Sequence, residues 1–366
     1  MLTLYPNLIL DALRNVRYPG NGHDIVELGI ADPDHLRIDS PRVALTLTFP
    51  KEPDPFARSV AKAAETALKT YISPEIEPEI TLAYAAAKPQ KENPLPGVKN
   101  IIGVSSGKGG VGKSTVAANL AVALAREGYK VGLLDADIFG PSVPKMFGIE
   151  DEPVYVTDID GRQKIIPLER YGVKLLSIGL MVDKNSAVLW RGGMASNALK
   201  QLIEEADWGE LDYFLIDMPP GTSDIHLTLV QTLPITGVVI VTTPQPVALA
   251  DARKGISMFT GDKVGVPILG LVENMAWFTP EKHPDERYYI FGREGGVELA
   301  RELNVRLLAQ IPLVGTIREQ ADNGEPIACG DSVAAYSFLH LAHEVIDAID
   351  RRNNELPPTH KVELKN

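Results

Sequence analysis

The stretch SSGKGGVGKST, residues 105–115, has the glycines, lysine and hydroxyl groups that bind phosphate. Gly107, Gly112, Lys113 and Ser114 fit the pattern G-x-x-x-x-G-K-[ST]. Glycines let the backbone turn so that several N–H groups point at phosphate oxygens, and the helix that follows presents its positive end to the same anion. We therefore predict that Lys113 contacts terminal phosphates and that Ser114 is a Mg²⁺ ligand.

This stretch, called the phosphate loop below, contains one lysine more than phosphate binding requires. Lys108 lies five residues before Lys113. Taken alone, it could be a solvated side chain on an exposed loop. The predicted nucleotide-binding set also includes the neighbouring loop residues Gly109, Gly110, Val111 and Thr115.

Two later apolar runs end in carboxylates that could serve a phosphate and its metal. LLDADIFGPS provides Asp135 and Asp137, and LIDMPPGTSD provides Asp217. In the second run, Gly221 is placed to donate its backbone N–H towards a γ-phosphate. The carboxyl ends of parallel strands share one rim, where such sheets bind ligands. A lone aspartate there is usually a turn former or helix cap, but three beside a phosphate loop favour a functional site.

The elements that must position these residues form a strand–helix alternation. Short apolar runs such as KNIIGVSS, KVGLLDAD and TGVVIVTTP are mostly followed by helical patterns such as KSTVAANLAVALARE. Runs without alternation suit strands that are covered on both faces. We predict an α/β fold of the P-loop NTPase class, with a mainly parallel sheet wrapped by helices and a hairpin inserted at Asp160–Gly161.

Composition divides the chain into four stretches. Residues 1–86 combine two amphipathic helical patterns with strands such as VALTLTF, which predicts a small α/β domain. Residues 87–97 are rich in Pro, Lys and Asn and are predicted to be a linker. Residues 98–350 contain the strand–helix alternation. Residues 351–366 have nothing to bury and are predicted to be a frayed, flexible tail.

Bulk composition narrows the possible partners. The 366-residue chain has 36 basic and 48 acidic residues and a net charge of −12, which argues against a protein that coats nucleic acid. No apolar run approaches a membrane span, and the N-terminus lacks the features of a signal peptide. The single cysteine, Cys329, predicts a reducing, cytoplasmic setting. We expect no nucleic-acid partner and no membrane.

Three motifs together give the chain a family resemblance. GKGGVGKST, DADIFGPS and DMPPGTSD resemble the motifs of the deviant Walker A ATPases, and Lys108 stands at their signature lysine. DADIFGPSVPKMFG, WRGGMASNALKQ and VENMAWF most resemble the Mrp/ApbC-type iron–sulfur carrier ATPases. Residues 1–86 resemble the iron–sulfur assembly domain often fused ahead of that ATPase, although YPGNGHDIVELG replaces its usual DPE-like turn.

The resemblance implies roles for individual residues. Lys108 would cross a two-fold interface to the nucleotide of the partner subunit, so that hydrolysis of ATP depends on a homodimer. Asp137 matches the carboxylate that orients the attacking water, and Asp217 the one that contacts Mg²⁺ through water. Asn274 matches a residue that contacts adenine, and Pro312 borders the base. Slow, switch-like hydrolysis and delivery of clusters to iron–sulfur apoproteins, or work with assembly factors, are the implied activities.

One departure from the family affects the iron–sulfur site. Mrp-type carriers commonly follow ENM with an aromatic residue and a C-x-x-C pair, and two pairs from two subunits bridge a [4Fe–4S] cluster. This chain has TPEKH at 279–283, where His283 alone is a poor substitute for sulfur. Cys329 is expected to be a small buried hydrophobe. The iron–sulfur ligands are therefore unknown, and a bound cluster is doubtful.

Weaker patterns have simpler interpretations. His340 and His343 lie three apart without an HExxH frame and are expected to be helix-surface or packing residues. Trp277 and Phe278 could form an exposed patch beside the two-fold axis or belong to the core. The segment that begins at Trp190 resembles a family interface element.

Two other functions stay open. One is a MinD/ParA-like positioning ATPase, which would bind DNA or a membrane. The acidic charge and a terminal segment with little apolar face argue against it. The other is a nucleotide-switched scaffold that recruits partners and holds no cluster, and the absent C-x-x-C pair favours it.

Overall fold

The structure, a computed structural model, divides into two compact units, Met1–Glu92 and Asn93–Asn366. It describes residues 4–19, 22–49, 54–84, 93–138, 140–159, 161–181, 192–261, 263–280, 283 and 285–362. The predicted linker, 87–97, spans the division, and its residues 87–92 lie outside the described part.

The first unit is a three-stranded sheet with two helices. Its elements are α1 (Pro6–Leu13), β1 (Ala31–Asp39), β2 (Arg42–Phe49), α2 (Ala57–Tyr71) and β3 (Glu77–Tyr84). β2 is central, antiparallel to β1 and parallel to β3. Alternate residues of β2, from Val43 to Phe49, are buried in one core with apolar residues of both helices, as the VALTLTF pattern predicts.

β1 is a strand that the sequence pattern does not predict. Its sequence, ADPDHLRID, contains proline and aspartate, which are rare in strands. β1 lies at the edge of the sheet, where proline is tolerated, and its pairing with β2 has a register irregularity between Ala31 and Leu36. Tertiary pairing therefore outweighs local propensity here.

The second unit is built on an eight-stranded sheet in the order β13-β12-β11-β4-β10-β5-β9-β8. The strands of this unit are β4 (Val98–Ser105), β5 (Val131–Asp135), β6 (Tyr155–Ile159), β7 (Arg162–Ile166), β8 (Leu168–Arg170), β9 (Val173–Ser177), β10 (Leu211–Asp217), β11 (Gly237–Thr242), β12 (Ile268–Phe278) and β13 (Leu307–Leu313), of which β6 and β7 pair outside the large sheet. Among the described strands of the large sheet, only the edge strand β8 is antiparallel to its neighbour. The prediction of a mainly parallel sheet is confirmed.

Helices cover both faces of this sheet. They are α3 (Lys113–Arg126), α4 (Val143–Met146), α5 (Gly192–Glu204), α6 (Asp224–Thr232), α7 (Pro246–Thr260), α8 (Gly295–Glu302), α9 (Gly315–Asp322) and α10 (Val333–Glu355). Successive strand residues belong to different cores: Leu215 packs with α3 and α10, whereas Phe214 and Ile216 pack with α5, α6 and α7. The central strands are thus apolar on both sides.

The predicted hairpin and tail have different outcomes. β6 and β7 form an antiparallel pair around the predicted turn, of which Asp160 lies outside the described residues. The prediction of a frayed tail is wrong for residues 351–362. α10 continues to Glu355, and Val362 then donates its N–H to the carbonyl of Val230 at 2.9 Å. Val362 also packs against the apolar core, which supplies the burial that the composition did not suggest.

Candidate nucleotide site

The phosphate loop joins β4 to α3 through backbone conformations that need glycine. Gly110 and Gly112 have φ values of +83° and +82°. A Cβ atom on Gly107 would lie 2.1 Å from the backbone of Asp251, and one on Gly112 would lie 2.2 Å from Nδ2 of Asn274. The loop can therefore approach its neighbours this closely only with glycine at these positions.

The loop leaves its backbone N–H groups available. Across the part of the chain that the structure describes, no N–H group from Lys108 to Gly112 donates a hydrogen bond. The carbonyls of Lys108 and Val111 are instead held by Ser106 Oγ at 3.0 Å and by Asn274 Nδ2 at 2.9 Å. This arrangement of free donors at the start of α3 fits a phosphate group.

Two adjoining cavities follow the loop. The first, about 220 Å³, is lined by Ser106, Lys108, Gly109, Gly110, Lys113, Ser114, Asp137, Ser142 and Pro220. The second, about 210 Å³, is lined by Asn274, Met275, Pro312, Leu313, Val314, Ile317, Arg318, Ala321 and Asp322. Both are bordered by Gly112, Thr115 and Met146. A polar cavity beside a more apolar one suits phosphates joined to a base.

Lys113 lies between the carboxylates that the sequence placed at this rim. Its Nζ is 2.6 Å from Asp217 Oδ1, 3.5 Å from Asp137 Oδ2 and 3.1 Å from Ser114 Oγ. All of these groups except the Ser114 hydroxyl belong to buried side chains. Phosphate oxygens would compete with Asp217 for the Lys113 ammonium group.

Asp217 has an unused acceptor at this point. Its Oδ2 atom is buried and has no hydrogen-bond partner among the described residues. Burial raises the pKa of Asp217, and the charge of Lys113 partly opposes that shift. A spare carboxylate oxygen near the Ser114 hydroxyl fits a hard cation with oxygen ligands, such as Mg²⁺.

Asp135, the third candidate carboxylate, is committed to holding the chain in place. Its oxygens accept from Asp137 N at 3.1 Å, Val143 N at 3.3 Å and Ser177 Oγ at 3.0 Å. Complete burial raises its pKa to about 8, and the like charge of Asp217 acts in the same direction. Asp135 therefore positions Asp137.

Gly221 differs from the prediction. With a φ of +78°, it turns its N–H back to the carbonyl of Ser106 at 2.8 Å, so this donor is already used within the protein. The bond ties the loop after Asp217 to the phosphate loop.

Lys108 is exposed at the mouth of the phosphate cavity. Its ammonium forms no ion pair with any residue in the described ranges. A free cation at this rim can meet an anion that approaches from outside the chain.

His226, which was not among the predicted site residues, also lies near the phosphate loop. The side chain is 1% exposed, and burial lowers its pKa to about 4. A signal was present, because Ser223 precedes α6 and His226 occupies the third helical position of a capping box. Histidine is not the residue expected there, since glutamate and glutamine usually fill this role.

The aromatic segment, residues 277–293, begins with the last two residues of β12 and stands where the family has its C-x-x-C pair. Phe278 and Tyr288 exchange backbone hydrogen bonds at 2.8 and 2.9 Å, and the Arg287 guanidinium lies 4.2 Å from the ring centre of Trp277. Trp277 and Phe278 are half-buried. His283 pairs with Glu286, whereas residues 281, 282 and 284 lie outside the described part.

Buried Glu273 fixes the far end of this segment. Its carboxylate accepts from the Gly296 N–H at the start of α8 and from Gln310 Nε2 at 2.8 Å. Glu273 is fully buried and precedes Asn274 on β12. The strand that reaches the phosphate loop therefore also anchors the helix after the aromatic segment.

The remaining candidates do not form a metal site. Nowhere in the described part of the chain do three His, Cys, Asp or Glu side chains form a group that could hold a metal ion. Cys329 is exposed, so the expectation of a buried thiol is wrong: the short turn before α10 leaves it at the surface. His340 and His343 are exposed on α10, and His343 pairs with Glu127 at 3.1 Å. The interface element predicted from Trp190 begins outside the described residues.

No helix of the described ranges has both the length and the apolarity needed to cross a bilayer.

Comparison with known proteins agrees with this geometry. The family model described as NUBPL iron-transfer P-loop NTPase matches residues 97–346, and that described as iron–sulfur cluster assembly protein matches residues 7–75. An iron–sulfur cluster carrier protein from Synechocystis is 41% identical over 350 residues, covering 93% of this chain and 97% of its own. The mouse iron–sulfur cluster transfer protein NUBPL is 45% identical, covering 70% and 79% respectively.

A solved structure supports the same assignment. The nucleotide-binding protein from Archaeoglobus fulgidus, described in complex with ADP, is 38% identical with a TM-score of 0.58, covering 68% of this chain and 95% of its own. These matches favour the carrier branch, and the MinD/ParA-like alternative is less supported. The chain belongs to the family of iron-transfer P-loop NTPases and has an iron–sulfur assembly domain ahead of the NTPase domain.

Proposed function

We propose that this chain is an ATP-hydrolysing, dimeric carrier or scaffold for iron–sulfur clusters, which passes them to apoproteins in the cytoplasm. The observation that carries the proposal is the pair of adjoining cavities that begins at the phosphate loop and ends beside Asn274 and Pro312. Its dimensions and donors fit ATP, and the named functions of the relatives fit the cargo.

The chain's own residues divide the work of hydrolysis. Backbone N–H groups of Gly109, Gly110, Val111 and Gly112 bind the phosphates, and Lys113 leaves Asp217 to contact the terminal groups. Ser114 and Asp217 would hold Mg²⁺, the latter through water, and the ion would draw charge from the phosphate oxygens. Asp137, oriented by Asp135, positions the attacking water. Asn274 and Pro312 contact the base, and Thr115 borders it.

Lys108 of a second copy of this chain supplies a further positive charge to each nucleotide pocket. In the proposed dimer, each Lys108 enters the partner's pocket and neutralises charge that develops on the transferred phosphoryl group. Its exposure and its lack of an ion pair within the described residues support this role. Hydrolysis then requires that the two subunits close on each other, so turnover is slow. Its purpose is to change the conformation of the dimer.

The cargo needs ligands that the aromatic segment does not supply. Thr279, Pro280 and His283 offer no thiolate, and the sequence around them adds only Glu281 and Lys282. Two Cys329 thiols from a pair give half of the ligands that a [4Fe–4S] cluster takes from protein. A cluster is therefore held with ligands from the recipient or from a small thiol.

This shortage favours a second candidate, the nucleotide-switched scaffold that holds no iron. It would use the same ATP cycle to bring assembly factors together. Measurement of iron and sulfide in anaerobically purified full-length protein separates the two candidates, because a scaffold contains neither.

The carrier role is tested by transfer. The full chain, reconstituted anaerobically, is mixed with an apo-enzyme whose activity requires a [4Fe–4S] cluster, with and without Mg-ATP. We expect the wild-type protein to activate the apo-enzyme to an extent that depends on ATP. With Lys113→Ala, the activation should be the same with and without ATP. Activation absent under all conditions would contradict the carrier role. ATP-dependent sedimentation with DNA or liposomes would instead favour a positioning ATPase.

A further inference from the structure

We propose that His226 is a positioning residue that fixes the loop from Met218 to Ser223 against the phosphate loop. The inference rests on the proposed ATP hydrolysis, because this loop links Asp217 to α6 at the edge of the phosphate cavity. It concerns a side chain that lines neither of the two cavities.

The hydrogen bonds of the imidazole define its tautomer. Ser223 donates its backbone N–H to Nδ1 at 3.1 Å, and the Ser223 hydroxyl lies 3.2 Å from the same atom. Since Nδ1 accepts, the proton of the neutral ring is on Nε2. Nε2 lies 3.5 Å from Ser105 Oγ, a long contact. The Nε2–H group of the neutral ring therefore faces the Ser105 hydroxyl.

The ring therefore joins the end of the loop at Ser223 to the strand before the phosphate loop. Ser223 is the N-cap residue of α6, and Ser105 is the last residue of the strand that leads into the phosphate loop. The ring of Phe259 packs edge-on against the imidazole with centroids 5.9 Å apart. This enclosure keeps the histidine neutral, the form with one donor and one acceptor that the loop requires.

Displacement of the loop would alter the phosphate cavity. Pro220, next to Pro219, lines that cavity, and Gly221 donates its N–H to the carbonyl of Ser106. Asp217, which immediately precedes the loop, holds Lys113. A loop released at Ser223 would thus move one wall of the cavity and loosen the position of Asp217.

Three variants separate hydrogen bonding from packing. His226→Leu removes both polar contacts and keeps apolar volume. His226→Gln restores them, because the glutamine oxygen can accept from Ser223 N–H and its amide can donate to the Ser105 hydroxyl. Phe259→Leu reduces packing around the same ring and leaves its hydrogen bonds in place.

Each full-length variant is measured by hydrogen–deuterium exchange of the peptide that covers residues 216–226 and by steady-state ATP hydrolysis. In His226→Leu we expect faster exchange and about a tenfold lower kcat, with KM within about twofold of wild type, since misplacement near the reacting groups affects turnover more than ground-state binding. We expect His226→Gln to recover most of both losses. Phe259→Leu should lower Tm without changing kcat.

The possible outcomes separate a failure of the positioning role from a failure of the proposed ATP hydrolysis. Unchanged exchange in His226→Leu, or faster exchange with wild-type kcat, would overturn the positioning role. A loss equal in His226→Leu and Phe259→Leu would also overturn it, because packing alone would then explain the effect. A wild type that hydrolyses no ATP would reject the proposed function, while the exchange measurement would still decide whether His226 holds the loop.

Discussion

The phosphate loop and the aromatic segment leave the same rim of one sheet, yet they differ in what they retain. At the phosphate loop, glycine conformations, free N–H groups, Lys113 and Asp217 together form the proposed nucleotide site. The aromatic segment keeps its anchors at Glu273 and Gly296 but has no sulfur ligand. We infer from this difference that the proposed nucleotide site does not depend on sulfur ligands in the aromatic segment.

The strongest test of the phosphate-loop side is Lys108→Ala. We expect kcat for ATP hydrolysis to fall about a thousandfold, because a cation supplied from the partner stabilises the transition state. ATP affinity should change less than about threefold. Lys130→Ala, which removes an exposed lysine paired with Glu210, is the control. Wild-type turnover in Lys108→Ala would show that each subunit works alone.

Lys113→Ala should mainly affect binding. Loss of the ammonium group removes a charge-assisted contact to phosphate and leaves the buried Asp217 carboxylate unpaired. We expect the Kd for ATP to rise about a hundredfold by calorimetry. An unchanged Kd would mean that the backbone N–H groups alone determine affinity.

The effect of the missing sulfur ligands in the aromatic segment can be tested by restoring two cysteines there. Wild-type protein, reconstituted anaerobically, should give a weak, labile chromophore. Pro280→Cys combined with His283→Cys creates a C-x-x-C pair and should raise bound iron to about four per dimer.

Cys329→Ser is the matched control and should leave the wild-type chromophore as it is. A stable cluster in the wild type, or none in the double variant, would contradict the view that the missing cysteines limit cluster binding.

The pH dependence of stability tests the surroundings of the phosphate loop. The folded chain keeps His226 neutral down to about pH 4, whereas the unfolded chain protonates it near the ordinary value of 6.5. Below pH 6.5 the unfolded state therefore binds more protons, and the free energy of unfolding should decrease by about 3 kcal/mol by pH 4. Urea unfolding of wild type and His226→Gln measures the difference, and parallel pH profiles would contradict it.

The smallest effect is expected at Glu273. Glu273→Ala leaves the Gly296 N–H and the Gln310 amide without their acceptor, which should lower the free energy of unfolding by about 2 kcal/mol. Glu302→Ala, which breaks an exposed pair with Arg253, should lower the free energy of unfolding far less, because water screens the pair. Equal effects in denaturant would show that Glu273 does not anchor the segment.

Much of this site follows from local sequence. The phosphate loop, the strands before it and the carboxylates at their ends are predicted because glycine turns and apolar runs constrain the backbone locally. The structure brings Lys113, Asp137, Asp217 and Asn274 to one place, as predicted.

The features that the sequence did not predict depend on tertiary contacts. The N–H of Gly221 is used by Ser106, Val362 gains burial only against a distant helix, and His226 acquires its environment from Phe259. β1 forms because β2 offers it an edge. No periodicity within a short window encodes such pairings.

Two neighbouring side chains on β12 connect the phosphate loop to α8. Asn274 binds the Val111 carbonyl of the phosphate loop, and Glu273, one peptide bond away, binds the first turn of α8. A displacement of the phosphate loop at Val111 would therefore be transmitted to α8 through two adjacent residues of one strand. This short length of β12 couples the position of α8 to that of the loop.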